Sequence, residues 1–178
     1  MRIIAGELKG RRLETPFDRS VRPTADKVKE ALFSILMNEI PGAKVCDLFA
    51  GTGNLGLEAL SRGADFCWFG DHSRESIALI KENTGKYYVQ DKCQIIHGDY
   101  RRVVGRIADK VDVFLLDPPY GKELLPKAMD AIAGEDKLAE GGVIVCEHNK
   151  YEDMPDEIAG FEKVKERQYG KVVLSIYM

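Results

Sequence analysis

The chain has 178 residues, 44% of them hydrophobic and 31% charged, with a formal net charge of −3. That length suits one domain with a substantial core, and no stretch approaches the ~20 apolar residues needed to span a bilayer. The opening Met1-Arg2-Ile3-Ile4-Ala5-Gly6 lacks the apolar segment of a signal peptide, so a cytoplasmic location is expected. Cys46, Cys67, Cys93 and Cys146 are far apart and show no metal-ligand spacing. They read as four reduced, buried thiols, and neither a metal site nor a membrane partner is expected.

Charge is unevenly distributed along the chain. Residues 1–23 carry six basic side chains (Arg2, Lys9, Arg11, Arg12, Arg19, Arg22) against three acids (Glu7, Glu14, Asp18), a local balance of +3. Such an arm can orient a mildly acidic domain on a polyanion through a local field. Residues 2–5 and 11–15 read as a hairpin-like arm whose turn is permitted by Gly6 and Gly10. Thr24 is then a candidate cap for a helix over 25–38, in which Val28, Ala31, Leu32, Ile35 and Leu36 form one apolar stripe. Pro41-Gly42 ends it.

Strands and helices alternate from there: strand 44–49, helix 54–62, strand 65–70, helix 73–84, strands 93–97 and 111–116, helix 123–133 and strand 142–147. This alternation predicts a parallel sheet covered on both faces, with right-handed crossovers. Residues 161–168 and 171–177, joined by Tyr169-Gly170, form a terminal hairpin that adds an antiparallel strand. The acidic run 151–157 reads as a solvated loop facing away from any polyanion. The expected fold is therefore α/β: a three-layer Rossmann-like sheet of about seven strands, mostly parallel with a C-terminal antiparallel strand, plus a short N-terminal β arm. Residues 1–23 are expected to form the basic arm, and residues 24–178 the main domain with the helix at 25–38 packed on it.

Two motifs carry the chemistry. The first is a strand, a glycine loop and a helix over residues 44–60, in which Gly51, Gly53 and Gly56 match G-x-G-x-x-G and Asp71 follows at ribose-binding spacing. It marks a nucleotide-like cofactor without choosing one. In a dehydrogenase the glycines hold a pyrophosphate; in a methyltransferase they hold the amino-acid end of S-adenosylmethionine, with Asp47 near its ammonium group.

The second is Asp117-Pro118-Pro119-Tyr120, set directly after the apolar strand Val111–Leu116. An exocyclic amine on a nucleobase is a poor nucleophile because its lone pair is delocalised into the ring. Two acceptors, the Asp117 carboxylate and the Pro118 carbonyl, can orient that amine and free the lone pair. Pro118 and Pro119 stiffen the loop, and Tyr120 can stack on the base. The plainer reading of the same residues is a strand end and a tight turn. Asp71 and Asp99, each at a strand end, also have a plainer reading as helix caps.

The pairing of Asp47-Leu48-Phe49-Ala50-Gly51-Thr52-Gly53 with Asp117-Pro118-Pro119-Tyr120 resembles class I S-adenosylmethionine-dependent methyltransferases acting on exocyclic amines. Together with Arg22-Pro23-Thr24-Ala25-Asp26-Lys27 and the opening residues 1–10, essentially the whole chain resembles the RsmD family of bacterial 16S rRNA guanine-N2 methyltransferases. The resemblance implies S-adenosylmethionine as cofactor, held by Asp47, Phe49, Gly51, Thr52, Gly53, Asp71, Asp99 and Tyr100. Asp71 would take the ribose hydroxyls, and Asp99 with Tyr100 would lie at the adenine. Asp117, Pro118, Pro119 and Tyr120 would be the catalytic residues. Arg11, Arg12 and Arg22, as members of the basic arm, are the candidate phosphate contacts to the RNA, with a structural ion pair as the other reading of Arg22, which stands just before Pro23 and Thr24. The implied partner is 16S rRNA in the small ribosomal subunit or its assembly intermediate, and the implied target is the loop guanine at position 966.

Three other readings fit parts of the pattern. An adenine-N6 methyltransferase on DNA or RNA would use Asp-Pro-Pro-Tyr equally well, although the chain has no room for a large target-recognition domain. A nicotinamide-dependent oxidoreductase would leave that tetrapeptide unexplained. A non-catalytic RNA-binding module would not need the intact glycines or Asp117.

Overall fold

The structure, a computed structural model, describes residues 1–16, 23–121 and 123–178, and no side chain of residues 23–25. Arg19 and Arg22 of the expected basic arm therefore lie outside the described residues. Short β-branched and aromatic runs form the strands: β1 (Lys44–Asp47), β2 (Phe66–Asp71), β3 (Cys93–His97), β4 (Val111–Leu116), β5 (Leu138–Asn149), β6 (Glu157–Ile158), β7 (Phe161–Tyr169) and β8 (Val172–Tyr177). The helices are α1 (Pro23–Ile35), α2 (Asn54–Ser61), α3 (Arg74–Lys86), α4 (Tyr100–Arg106) and α5 (Leu124–Gly134).

The strands make one sheet in the order β3-β2-β1-β4-β5-β8-β7-β6. Strands β3, β2, β1, β4 and β5 run parallel, as the intervening helical crossovers require. β8 enters antiparallel between β5 and β7, so the C-terminal hairpin completes the sheet. Eight strands form where about seven are expected, because the two-residue β6 closes the far edge against β7.

Alternation along the strands divides the core between the two faces of the sheet. Val45, Phe69, Val113, Leu115 and Val145 pack with Val28 and Leu32 of α1, Leu57 of α2 and Ile80 of α3. Cys46, Trp68, Phe114, Leu116 and Cys146 pack on the opposite face with Val103 of α4 and Met129 and Ile132 of α5. The result is the expected three layers. The thiols of Cys46, Cys67 and Cys146 are buried, Cys93 is half-buried, and all four are unpaired.

Three local expectations shift. α1 is described from Pro23 to Ile35, so Thr24 falls within the described helix, and the helix ends before the expected residue 38. β5 begins at Leu138 and ends at Asn149, extending beyond 142–147 at both ends. α4 is absent from the expected order of elements, yet it bears out the plainer reading of Asp99: that residue caps the short helix and accepts a hydrogen bond from the Arg102 amide at 2.9 Å.

The amino-terminal arm docks on α2. Arg2 and Arg12 bridge antiparallel, and the Ile3 amide donates to the Arg11 carbonyl at 2.9 Å. Gly6 turns with φ +88 and lies so close to α2 that a Cβ there would sit 1.9 Å from the Ser61 carbonyl oxygen. The fully buried Glu58 carboxylate accepts from the amides of Ile4 (2.8 Å) and Ala5 (3.1 Å). It also pairs with Lys29 Nζ at 2.9 Å and Arg62 Nε at 2.8 Å. Four donors thus compensate one desolvated charge, and burial of Ile3 adds an apolar anchor.

Candidate active site

A cleft of about 560 Å³ opens over the carboxyl ends of β1, β2, β4 and β5, the usual ligand position in such sheets. Its walls include Asp47, Phe49, Gly51, Thr52, Asp71, Asp117, Pro118, Pro119, Tyr120 and Glu147. The arm contributes Met1 and Pro16 to its rim.

Asp47 ends β1 and is 1% exposed. Its Oδ2 accepts from the Gly56 amide in the first turn of α2 at 2.9 Å, while Oδ1 is buried without a partner. Burial pushes this carboxyl up to about 7, opposed by the Gly56 hydrogen bond and reinforced by Asp117 and Asp71. A buried carboxylate with one unsatisfied oxygen on a ligand cleft is a place for a cation.

The glycine loop is held from two sides. Asp71 Oδ2 accepts from the Gly51 amide at 2.9 Å, and Asp71 Oδ1 accepts from the Ser73 amide at 2.9 Å. Ser73, not Asp71, caps α3. Asn83 of α3 donates to the Thr52 carbonyl and the Glu14 carbonyl, both at 3.0 Å, and so joins loop and arm. Gly51 has φ +60 and open space where a Cβ would be. The other two glycines serve the fold: Gly53 turns into α2 with φ +87, and a Cβ on Gly56 would lie 2.3 Å from the Phe69 ring.

At the other end of the cleft, β4 and β5 place two carboxyls side by side. Their register runs Leu115–Val145 and Leu116–Cys146, so Asp117 and Glu147 fall on the next step, on the same face of the sheet. The two side chains lie close enough for each to shift the other's ionisation. Burial, then the Asp117 charge, pushes Glu147 up to about 9. Asp117 is also raised by burial, against the lowering effect of the hydrogen bond from Glu147. Tyr120 is 49% exposed, and its phenol is pushed up to about 12 by partial burial and by Glu147 and Asp117. It presents a ring face beside an acceptor pair.

Asp99, Tyr100, Arg11 and Arg12 are not brought into this cleft. Asp99 is exposed on its cap. Tyr100 is buried behind Phe49, with ring centroids 6.4 Å apart. Arg11 and Arg12 are exposed on the arm, and the Arg12 carbonyl accepts from the Tyr87 hydroxyl. The acidic loop after β5 is nearer the site than expected: Glu152 Oε1 accepts from the Gly121 amide at 3.1 Å, which ties it to the turn after Tyr120. Glu147 is not among the residues that the sequence motifs single out. The available signal was its position at the end of β5, two residues beyond Val145 on the face that carries Asp117.

The β3-β2-β1-β4-β5 order, the antiparallel β8 and β7, and a cleft bounded by a glycine loop after β1 and Asp-Pro-Pro-Tyr after β4 define the class I methyltransferase fold. A family described as "conserved hypothetical protein 95" matches over residues 1–178. The chain belongs to this family, the RsmD family that its motifs resemble. It is 35% identical over 180 residues to a Bacillus subtilis protein named "Putative rRNA methyltransferase YlbH", covering 99% of this chain and 98% of that one. Against "Ribosomal RNA small subunit methyltransferase D" of Escherichia coli strain K12 the identity is 28% over 177 residues, covering 99% and 89%. The solved structure of "Putative methyltransferase yhhF from Escherichia coli" superposes with a TM-score of 0.88 at 26% identity, covering 99% of this chain and 96% of that one.

Proposed function

We propose that this protein transfers a methyl group from S-adenosylmethionine to the exocyclic N2 amine of a loop guanine in the 16S rRNA of the small ribosomal subunit, at position 966 by family resemblance. The observation that carries the reading is the unpartnered, buried Asp47 Oδ1 in the same cleft as Asp117-Pro118-Pro119-Tyr120. The names of the relatives supply the RNA class.

The residues present fit the cofactor. Its ammonium group matches the free Asp47 oxygen, the open side of Gly51 admits its amino-acid end, and Asp71 stands by for the ribose hydroxyls. Phe49 offers an apolar wall, with Tyr100 behind it and Asp99 on the adjoining loop. Thr52 and Gly53 complete the loop. When bound, S-adenosylmethionine supplies a methyl group made electrophilic by its sulfonium.

The chain's own residues prepare the amine. Asp117 and the Pro118 carbonyl accept its two N–H groups, Pro119 limits the loop's freedom, and Tyr120 stacks on the ring. Positive charge developing on the amine nitrogen is met by the Asp117 carboxylate. The guanine must be unpaired or flipped outward to meet these groups. Arg11, Arg12 and Arg22 contact phosphates of the RNA, which is presented in the small subunit or an assembly intermediate in the cytoplasm.

Modified-nucleoside mapping of small-subunit rRNA from cells with and without the gene tests this directly. Loss of one N2-methylguanine is expected. An unchanged rRNA, or loss of a methylated adenine instead, overturns the assignment.

A further inference from the structure

The role given to Asp117 uses only the amine, yet the cleft holds a second carboxyl beside it. We propose that Glu147 reads the guanine N1–H next to the reacting amine, so that Asp117 and Glu147 together recognise the donor edge of guanine. This rests on the guanine assignment above and adds the group that selects guanine.

The geometry comes from the strand register. β4 and β5 are parallel neighbours whose last register pair is Leu116–Cys146, and Asp117 and Glu147 follow on the same face. Both line the cleft with Tyr120, the candidate stacking ring. Neither carboxyl enters an ion pair among the described residues. The other titratable groups described along the same cleft are Asp47, Asp71, His72, the phenol of Tyr120 and the amino terminus at Met1.

Burial and mutual repulsion favour one proton held between two adjacent carboxyls, and a pair bridged in that way uses one oxygen from each residue. One acceptor oxygen remains on each residue. Guanine presents N1–H and N2–H as adjacent donors, a match to that pair of acceptors. A purine with a bare N1 lone pair would face the Glu147 oxygen acceptor to acceptor, leaving a buried acceptor unpaired and repelled. Acceptors supplied by carboxylates are an established way to read base donors. A structural role for Glu147 alone, as a proton donor that holds Asp117 in place, would be blind to what stands at N1.

The test compares small subunits reconstituted with 16S rRNA carrying guanosine or 2-aminopurine at the position found by nucleoside mapping. 2-Aminopurine keeps the 2-amine but has an unprotonated N1. Wild-type enzyme should methylate it with kcat/KM about 10- to 100-fold below guanosine, the range of one good base-edge contact. Glu147→Met should slow guanosine and bring the two substrates to within a few-fold of each other. Glu147→Gln should restore most of the preference, since its amide can donate to Asp117 and keep its carbonyl for N1–H.

Equal wild-type rates on the two RNAs, which need no variant, overturn the proposal. So does full preference in a folded Glu147→Met enzyme. Failure of wild-type enzyme on the guanosine particle overturns the guanine assignment itself and Glu147's role with it.

Discussion

The Gly56 amide donates to Asp47 Oδ2 at 2.9 Å, and the same contact leaves Asp47 Oδ1 buried without a partner at the glycine-loop end of the cleft. One helix-start N–H therefore positions a carboxylate whose second oxygen is unused by the protein. The cost of that unsatisfied oxygen is expected where a ligand completes the site.

The ionisation of Asp47 should be visible in binding. Its carboxyl is held near 7, so it is neutral below that value and charged above it. Affinity for the cationic cofactor, measured by calorimetry, should rise with pH up to about 7 and then level off. Asp47→Asn should flatten this profile and weaken binding by about 10- to 100-fold, the scale of a charged hydrogen bond. The stability of the ligand-free protein should move the other way. With the folded value above the ordinary 3.8, the native state binds more protons than the unfolded chain between the two, and Asp47 destabilises increasingly as pH rises through that window. Denaturant melts of the wild type and Asp47→Asn across pH 4 to 8 check the sign.

Asp117→Ala should keep the fold and most cofactor affinity while lowering turnover roughly 10²-fold or more, as for removal of a preorganised polar group from a reaction centre. Tyr120→Ala should cost ~1–3 kcal/mol of base stacking, and Tyr120→Phe much less because the ring face remains. Single-turnover rates beside cofactor titrations separate the two effects. A normal methyl-transfer rate in Asp117→Ala would remove the amine-orienting role.

Glu58→Ala should be among the most damaging changes outside the cleft. It leaves Lys29, 3% exposed, without its carboxylate and removes the acceptor for the Ile4 and Ala5 amides. A loss of about 3–5 kcal/mol in urea unfolding is expected, with faster hydrogen exchange at Ile4 and Ala5. Burial raises the Glu58 carboxyl, but Lys29, Arg62 and the Ile4 amide together bring it net below its ordinary 4.5. Its contribution to stability is therefore present above that value and is lost as pH falls through the lower folded-state value.

Replacing Arg11 and Arg12 together by Ala should weaken binding to the ribosomal substrate. The slope of log affinity against log salt should shrink by about 1.4, at ~0.7 per single-strand phosphate contact. Cofactor affinity should stay constant, because both side chains are exposed on the arm and neither lines the cleft. An unchanged slope would make them an ordinary charged surface.

The layers of the fold were legible because their signals are local. Val111–Leu116 is apolar enough for a buried strand, Val28 and Leu32 share a helical face, and Tyr169-Gly170 separates two extended runs. α4 was not legible: at seven residues with only Tyr100, Val103 and Val104 buried, it is too short to show a period. Its one signal, the cap at Asp99, competes with a strand-end ligand reading of the same residue.

By itself the sequence determined the alternating α/β order, the glycine loop after β1 and the Asp-Pro-Pro-Tyr turn after β4, because turn chemistry and hydrophobic period act over a few residues. Only the tertiary structure decided which members of each motif face the cleft. Gly51 borders the cleft, whereas Gly56 is required by the Phe69 ring packed against it. Asp47 has one free oxygen because α2 begins beside it, and Glu147 meets Asp117 because β4 and β5 pair in one particular register. Residues thirty positions apart become a two-carboxyl site through backbone hydrogen bonds between strands. Nothing in the spacing of Asp117 and Glu147 along the chain specifies that register; the burial of Leu115, Leu116, Val145 and Cys146 on the two faces of the sheet does.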